Sequence, residues 1–435
     1  MGAAFLQKQP DDSPVARLPL YRAAMPAASH TRKEVSMETL TRTVPMISSA
    51  EIEEDAHEAF RRYRASHPIV TLETGGYVVL RHDDVSRLSR DPRLRATEIA
   101  IPAQGGVSHG ALFDIFEHGM LTANGDVHAH RRSAMSRALA GHAIDQFRSF
   151  VRQAAESLIE GCYRDSKLEL SNGYAAKLPV LALAGMLGVP DREVPAFMRD
   201  IDAMNEFFRP YATPSAMADA EVAARRLQGY LETLVTRTWA SQAEGFLSQY
   251  LALVDSDQQL SGMEVVIQIV QMIIGGTESV RTAMVAQASS LLTNRSQWEA
   301  VCDDPALVPA AVSESLRFEP GIAGVVRVSA EEIDIDGWTL PAGQLVILSS
   351  MSALRDERLF DHPDTFDIFR SDLTPSHLAF GGGAHKCVAE AFGRAELQEG
   401  LSVLAERLSN LTLETAPVFL GHIFVRRTTE CWVTW

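Results

Sequence analysis

The chain has 435 residues, a formal net charge of −16, 46% hydrophobic residues and 22% charged residues. That balance belongs to a globular protein able to bury a large core, and it argues against general nucleic-acid binding, which needs a clustered excess of Lys and Arg. No uncharged apolar run approaches the roughly 18 residues of a membrane-spanning helix, so no membrane partner is expected.

In chain order, the first ~45 residues are rich in Ala, Pro, Arg and Ser and lack the continuous apolar stretch of a secretory signal. They read as a disordered leader over 1–47 ahead of a single domain over 48–435, in a cytoplasmic protein, with Met37 a candidate native start. Apolar spacing of three and four predicts helices near Glu51 to Ser66, Ala129 to Leu139, His142 to Cys162, Asn172 to Leu187, Asp191 to Phe208, Ser215 to Gln242 and Ala306 to Arg317. Two stretches alternate instead. Pro68 to Arg81, around Gly75-Gly76, and Ile333 to Ser349 both predict hairpins. The expected architecture is mainly α, with small peripheral sheets.

The longest predicted helix opens with Ser261 three residues before Glu264, a capping-box pattern, and runs without proline to Leu292. Its middle is Gly275-Gly276-Thr277-Glu278-Ser279. Each glycine there costs about 1 kcal/mol relative to Ala. Either a neighbouring helix packs tightly against the glycines, or the helix opens locally beside an acid and an alcohol.

Four cysteines, Cys162, Cys302, Cys387 and Cys431, lie far apart, with no zinc-type or C-x-x-C spacing. Cys387 stands between Gly381-Gly382-Gly383 and an amphipathic helix. That places its sulfur near the positive end of a helix dipole, which favours the thiolate, a ligand for soft metals. Rival readings are a buried structural cysteine, a redox nucleophile lacking a nearby resolving cysteine, and a P-loop. The last fails its pattern, because Lys386 is followed by Cys387 and the glycines stand too close.

The run Phe380-Gly381-x-Gly383-x-His385-x-Cys387 resembles the haem-binding signature of the cytochrome P-450 family. Upstream, Glu314-Ser-Leu-Arg317 resembles the family's E-x-x-R motif, and Arg370 in HPDTFDIFR resembles the third member of its Glu-Arg-Arg network. GGTES resembles the oxygen-activating stretch, and NGDVHAHRRSAMSRAL resembles the helix that grips the haem propionates. The resemblance covers most of the chain after about Ser48. It implies a single triangular, mainly α fold with a long central helix.

The resemblance also implies roles. Cys387 would be the axial ligand of haem b, and His128, Arg132, Arg327 and His385 would pair with the propionates, with His130 as an alternative register for His128. Phe380 and Gly381 would flank the cofactor. Gly275 and Gly276 would leave room for dioxygen, and Glu278 with Ser279 would pass protons. Glu314, Arg317 and Arg370 would form a structural network. Two departures stand out: Ser279 replaces the usual Thr, which predicts looser proton delivery, and Ala389 replaces the usual Gly. Leu112, Phe113, Phe116, Ile273, Ile322, Val325, Val326, Phe419 and Leu420 would line a pocket for a small apolar substrate.

The implied activity is a monooxygenase that hydroxylates such a substrate with dioxygen. Because the chain ends soon after the cysteine motif, electrons are expected from NAD(P)H through a separate ferredoxin and ferredoxin reductase, docked near Arg131, Lys386 and Arg394. The alternatives are a haem-binding sensor or carrier without turnover, and a peroxide-using haem-thiolate enzyme. The acid and alcohol at Glu278 and Ser279 favour catalysis.

Overall fold

The structure, a computed structural model, describes residues 43–435 apart from residues 105, 141–142, 209–212, 242–243, 258 and 374–377. Most of the expected leader, and Met37 with it, lie outside the described residues. The helices are α1 (Ser49–Arg64), α2 (His82–Leu88), α3 (Ala100–Gln104), α4 (Ala111–Glu117), α5 (Gly125–Ala140), α6 (Ala143–Cys162), α7 (Lys177–Leu187) and α8 (Val194–Asn205). They continue as α9 (Pro214–Ser241), α10 (Phe246–Asp257), α11 (Gly262–Thr293), α12 (Arg295–Asp303), α13 (Val308–Phe318), α14 (Ser350–Ala353) and α15 (Glu390–Arg407).

Helix α11 is the axis of the core. Ser261 caps it and Glu264 closes the capping box, the Ser261 amide donating to Glu264 Oε2 at 3.0 Å. By length and composition it is the one described helix that could cross a membrane, contrary to the sequence expectation. Its apolar side chains are instead buried against α7, α9, α13 and α15. An all-round apolar helix of this kind is a core helix.

Strands are short. β1 (Met46–Ile47), β2 (Ile69–Leu72), β3 (Tyr77–Val79), β4 (Leu94–Arg95), β6 (Val325–Ser329) and β9 (Leu345–Leu348) form one sheet in the order β1-β2-β3-β9-β6-β4. β5 (Lys167–Glu169), β10 (Thr412–Thr415) and β13 (Trp432–Thr434) form a second, in the order β10-β13-β5. β7 (Ile333–Ile335) pairs with β8 (Trp338–Leu340), and β11 (Phe419–Leu420) with β12 (Arg427–Thr428).

The first predicted hairpin forms as β2 and β3, antiparallel, with Gly75 and Gly76 at positive φ. The second is shorter than expected. Asp336 and Gly337, both at positive φ, turn β7 into β8 as a type I′ hairpin requires, but Leu345–Leu348 leaves it. That run is apolar on both faces, so β9 sits inside the large sheet, parallel to β3 and antiparallel to β6. The helix expected from Asn172 starts later, because Ser171–Ala175 forms a π turn before α7.

Candidate functional site

The cysteine loop is built from two short 3-10 turns, Leu378–Phe380 and Gly383–His385, before Ala389 caps α15. The Cys387 amide donates to the Phe380 carbonyl at 2.9 Å, closing the loop. Gly383 has φ +67, and a Cβ there would lie 2.1 Å from the Ser89 carbonyl oxygen, so only glycine lets the loop rest on the turn after α2. Phe380 stacks under the Arg394 guanidinium, 4.9 Å from its ring centre.

Cys387 is reachable by a water-sized probe, yet enough protein surrounds it that burial pushes its thiol pKa up. The Ala389 amide and the Arg132 and Lys386 charges oppose that shift without overcoming it. The protein alone therefore favours the thiol, opposite to the expectation from the helix dipole. The sulfur nonetheless keeps an exposed face, and a metal bound there would deprotonate it outright.

Beside the loop stands a cluster of nitrogen bases, His128 and Arg327 buried and Arg132 and His385 half-buried. The His128 ring, from α5, lies 4.0 Å from that of His385. Arg132, one turn along α5, donates to the Lys386 carbonyl at 2.5 Å. Arg327, from β6, lines a cleft with Val325, Gly381 and His385. His128 is buried against the cysteine loop while His130 is exposed.

The cluster lacks a counter-charge. Among the described residues no carboxylate lies within ion-pair distance of Arg132 or Arg327, and His128 Nε2 is buried without a hydrogen-bond partner. Burial depresses the pKa of Arg327 to about 10. Burial, aided by Arg327, His128 and Arg132, drives His385 down to about 3. The two histidines are neutral there, but an uncompensated buried guanidinium such as that of Arg327 is costly, so the cluster is shaped for an anion. With the thiol beside it, it fits a prosthetic group that carries carboxylates and presents a soft metal, which is what haem offers.

On α11, Gly275 is exposed and Ile274 and Gly276 half-buried, although the turn before them is buried. A Cβ on Gly275 would meet nothing within 4 Å, and one on Gly276 would touch only Leu183, at 3.5 Å. Tight helix packing is therefore not why Gly275 is glycine, since the space beside it is open. The expected local opening is also absent, since α11 runs unbroken. The Ser279 hydroxyl instead donates to the Gly275 carbonyl at 2.8 Å. Glu278 lies between two guanidiniums, 3.5 Å from Arg281 and 3.9 Å from Arg427.

Glu314, Arg317 and Arg370 come together. Arg317 grips Glu314 through two bonds of 2.7 and 2.8 Å, and Arg370 Nε lies 3.1 Å from Glu314 Oε2. Arg317 also donates to the carbonyls of Leu354, Pro363 and Thr365. The pair sits fully inside the protein, unlike an ordinary surface i,i+3 pair.

The proposed pocket residues divide. Leu112, Phe113 and Phe116 lie on α4, and Phe116 packs against Phe207 and Phe208, with ring centres 5.6 and 6.4 Å away. Val325 shares the cleft with Gly381, whereas Val326 points to the other face of β6, against the cluster of Ile47 and Phe60. Ile322 bridges to Val425. Ile273 is wholly buried, and its neighbour Ile274 keeps some exposure next to Gly275. Phe419 lines a separate groove with Ser289, Phe318 and Phe366, and Leu420 is half exposed. Arg131, expected at a docking patch, is tied inward to Glu264 at 2.9 Å, while Lys386 and Arg394 both pair with Glu390.

Sequence reasoning missed Ile274, Phe207 and Phe208. The pair Phe207-Phe208 at the end of a predicted helix was the available signal.

Comparisons with known proteins agree with this geometry. The family model described as cytochrome P-450 matches residues 299–418. The plant-inducible cytochrome P-450 pinF1 of Rhizobium radiobacter is 34% identical, over 88% of this chain and 90% of that protein. Nocardicin C N-oxygenase of Nocardia uniformis subsp. tsuyamanensis is 31% identical over 88% and 96%. Among solved structures, CalO2 superposes with a TM-score of 0.82 over 89% of this chain and 97% of that chain, at 23% identity. Identity above 30% sustained along nearly the whole of two relatives decides the matter: the chain belongs to the cytochrome P-450 family and is an oxidoreductase of its monooxygenase class.

Proposed function

We propose that the domain over 48–435 is a cytoplasmic haem-thiolate hydroxylase of a small apolar substrate. Electrons reach it from NAD(P)H through a ferredoxin and its reductase. The observation that carries the reading is the cluster of Arg132 and buried Arg327 without a carboxylate partner, with the orphaned His128 and His385 beside them, set against an exposed Cys387.

Haem b, when bound, supplies dioxygen activation and transfer of one oxygen atom to the substrate. Cys387 would hold its iron. Arg132 and Arg327 would hold its propionates by charge-assisted hydrogen bonds, and the orphaned His128 Nε2, with His385 beside it, would find its partner there. Phe380 and Gly381 shape the cradle, and the Glu314, Arg317 and Arg370 network fixes the segment leading into it.

On α11, Gly275 and Gly276 would leave space for dioxygen. Glu278 receives protons from the surface side of α11, held in place by Arg281 and Arg427. Ser279, whose proton is committed to the Gly275 carbonyl, offers its oxygen lone pairs as the acceptor next in line. Leu112, Phe113, Phe116, Ile274 and Val325 supply the apolar wall that excludes water. Lys386 and Arg394 remain on the cysteine side for the electron donor.

The test is the absorption of the purified protein reduced with dithionite under carbon monoxide. A Soret band at the wavelength that names the family supports the reading. A protein that takes up no haem, or gives the band of a neutral axial ligand, overturns it.

A further inference from the structure

Helix α4 has seven residues, Ala111–Glu117, too few to hold itself helical, and its N-cap is Gly110, which has no side chain to cap it. The cap comes from elsewhere. Glu221, on α9, accepts the Ala111 amide on Oε1 at 2.8 Å and the Leu112 amide on Oε2 at 2.9 Å. One carboxylate thus satisfies two of the amides a helix start leaves open. Gln228, two turns along α9, donates to the Ala111 carbonyl at 2.8 Å.

The other end is tied to α11. Gln271 donates to the Ile115 carbonyl at 2.8 Å and accepts the Leu121 amide at 2.9 Å. Gln268 repeats the pattern one turn earlier, donating to the His118 carbonyl at 2.9 Å and accepting the Met120 amide at 2.8 Å. Glycines stand where the straps cross. A Cβ on Gly110 would lie 2.6 Å from Glu221 Oε1, and one on Gly119 would lie 1.8 Å from Gln271 Nε2. Both ends of α4 are thus shaped to receive a strap.

We propose that Glu221 and Gln271 are positioning residues for substrate selection, holding α4 between α9 and α11 so that Leu112 and Phe116 form a preset wall. Gln271 lies one turn before Gly275, so the strap also fixes the distance from that wall to the uncrowded stretch of α11 at Gly275. A wall held at both ends does not adapt to a bulkier ligand without breaking buried hydrogen bonds. Selectivity then comes from preorganisation. The inference rests on the reading of α4 as a pocket wall given above.

The test compares 4-phenylimidazole with 1-tritylimidazole, two probes whose imidazole ligates haem iron and whose bulk differs. Affinities are read from the Soret shift. In Glu221→Ala and Gln271→Ala the ratio of the bulky to the small dissociation constant falls about fivefold or more, because the wall yields. Hydrogen exchange at the Ala111 and Leu112 amides of Glu221→Ala accelerates about tenfold or more, with or without haem. Glu221→Gln, which keeps the volume and one acceptor, falls between wild type and Glu221→Ala, and it carries the test if Glu221→Ala does not fold.

An unchanged ratio alongside faster exchange makes the straps merely structural and overturns the inference, as does unchanged exchange. The carbon monoxide spectrum of the same variants reports separately on the reading beneath: a thiolate band with an unchanged ratio sinks only the inference, and a missing band sinks the reading.

Discussion

Arg317 holds both carboxylate oxygens of Glu314, and neither side chain reaches solvent. Removing the cation leaves a buried carboxylate facing only Arg370 and the Asp367 amide. Arg317→Leu is expected to cost about 3–5 kcal/mol and to lower the haem bound per chain. Urea unfolding and the ratio of Soret to protein absorbance measure the two effects. Arg317→Lys keeps the charge but not the fork, so an intermediate loss is expected.

Glu278 and Ser279 are expected to separate in their effects. Glu278→Gln lowers turnover about 10²-fold, the usual size of a lost proton donor. Ser279→Ala lowers the product formed per NAD(P)H consumed and raises hydrogen peroxide. The sequence suggested that Ser in place of Thr loosens proton delivery, but the Ser279 hydroxyl is already fixed on the Gly275 carbonyl. Ser279→Thr is therefore expected to change the coupling ratio by less than about twofold.

Gly275→Ala sets stability against function. The new methyl meets no protein atom within 4 Å and improves helix propensity by about 1 kcal/mol, so the melting temperature rises slightly. The methyl also enters the open space beside the helix. Turnover is expected to fall, and a variant that loses activity without gaining stability contradicts this account of the glycine.

Glu396 on α15 is buried, its Oε1 has no hydrogen-bond partner, and burial raises its carboxyl pKa to about 8. Its pKa is higher folded than unfolded, so the folded state binds the extra proton between about pH 4.5 and pH 8, and stability falls as pH rises through that window. Glu396→Gln removes the titration. The variant is expected to gain on wild type by up to roughly 1.4 kcal/mol per pH unit across the window and to lose its advantage below it. Denaturant unfolding at pH 5, 6.5 and 8 (about one and a half units apart) checks the slope.

Local patterns were the legible part of the sequence. Ser261 and Glu264, three apart, announce the start of α11, and Glu314 and Arg317, at the same spacing, announce a pair whose bond the structure shows. His128 and Arg132, four apart, share a helix face that meets the cysteine loop. What was not legible depends on partners far along the chain. Adjacent residues on a helix point about 100° apart, and only the packing of α11 decides that Ile274 rather than Ile273 keeps company with Gly275. Phe419 went to another groove because side chains alternate across a strand and nothing local says which face looks inward. The burial of Glu314 and Arg317 was equally silent, since the same spacing on a surface helix would be unremarkable.

Arg132 reaches the Lys386 carbonyl across 254 residues of chain, and β3 pairs with β9 across a similar span. During synthesis, a nascent chain that has not yet passed Cys387 owns His128 and Arg132 but not the loop they meet. Contacts of such separation form late in folding. Cofactor uptake is therefore expected to wait until most of the protein is made, because a chain that stops before Cys387 lacks one wall of the site. Haem content then serves as a readout of completed chains.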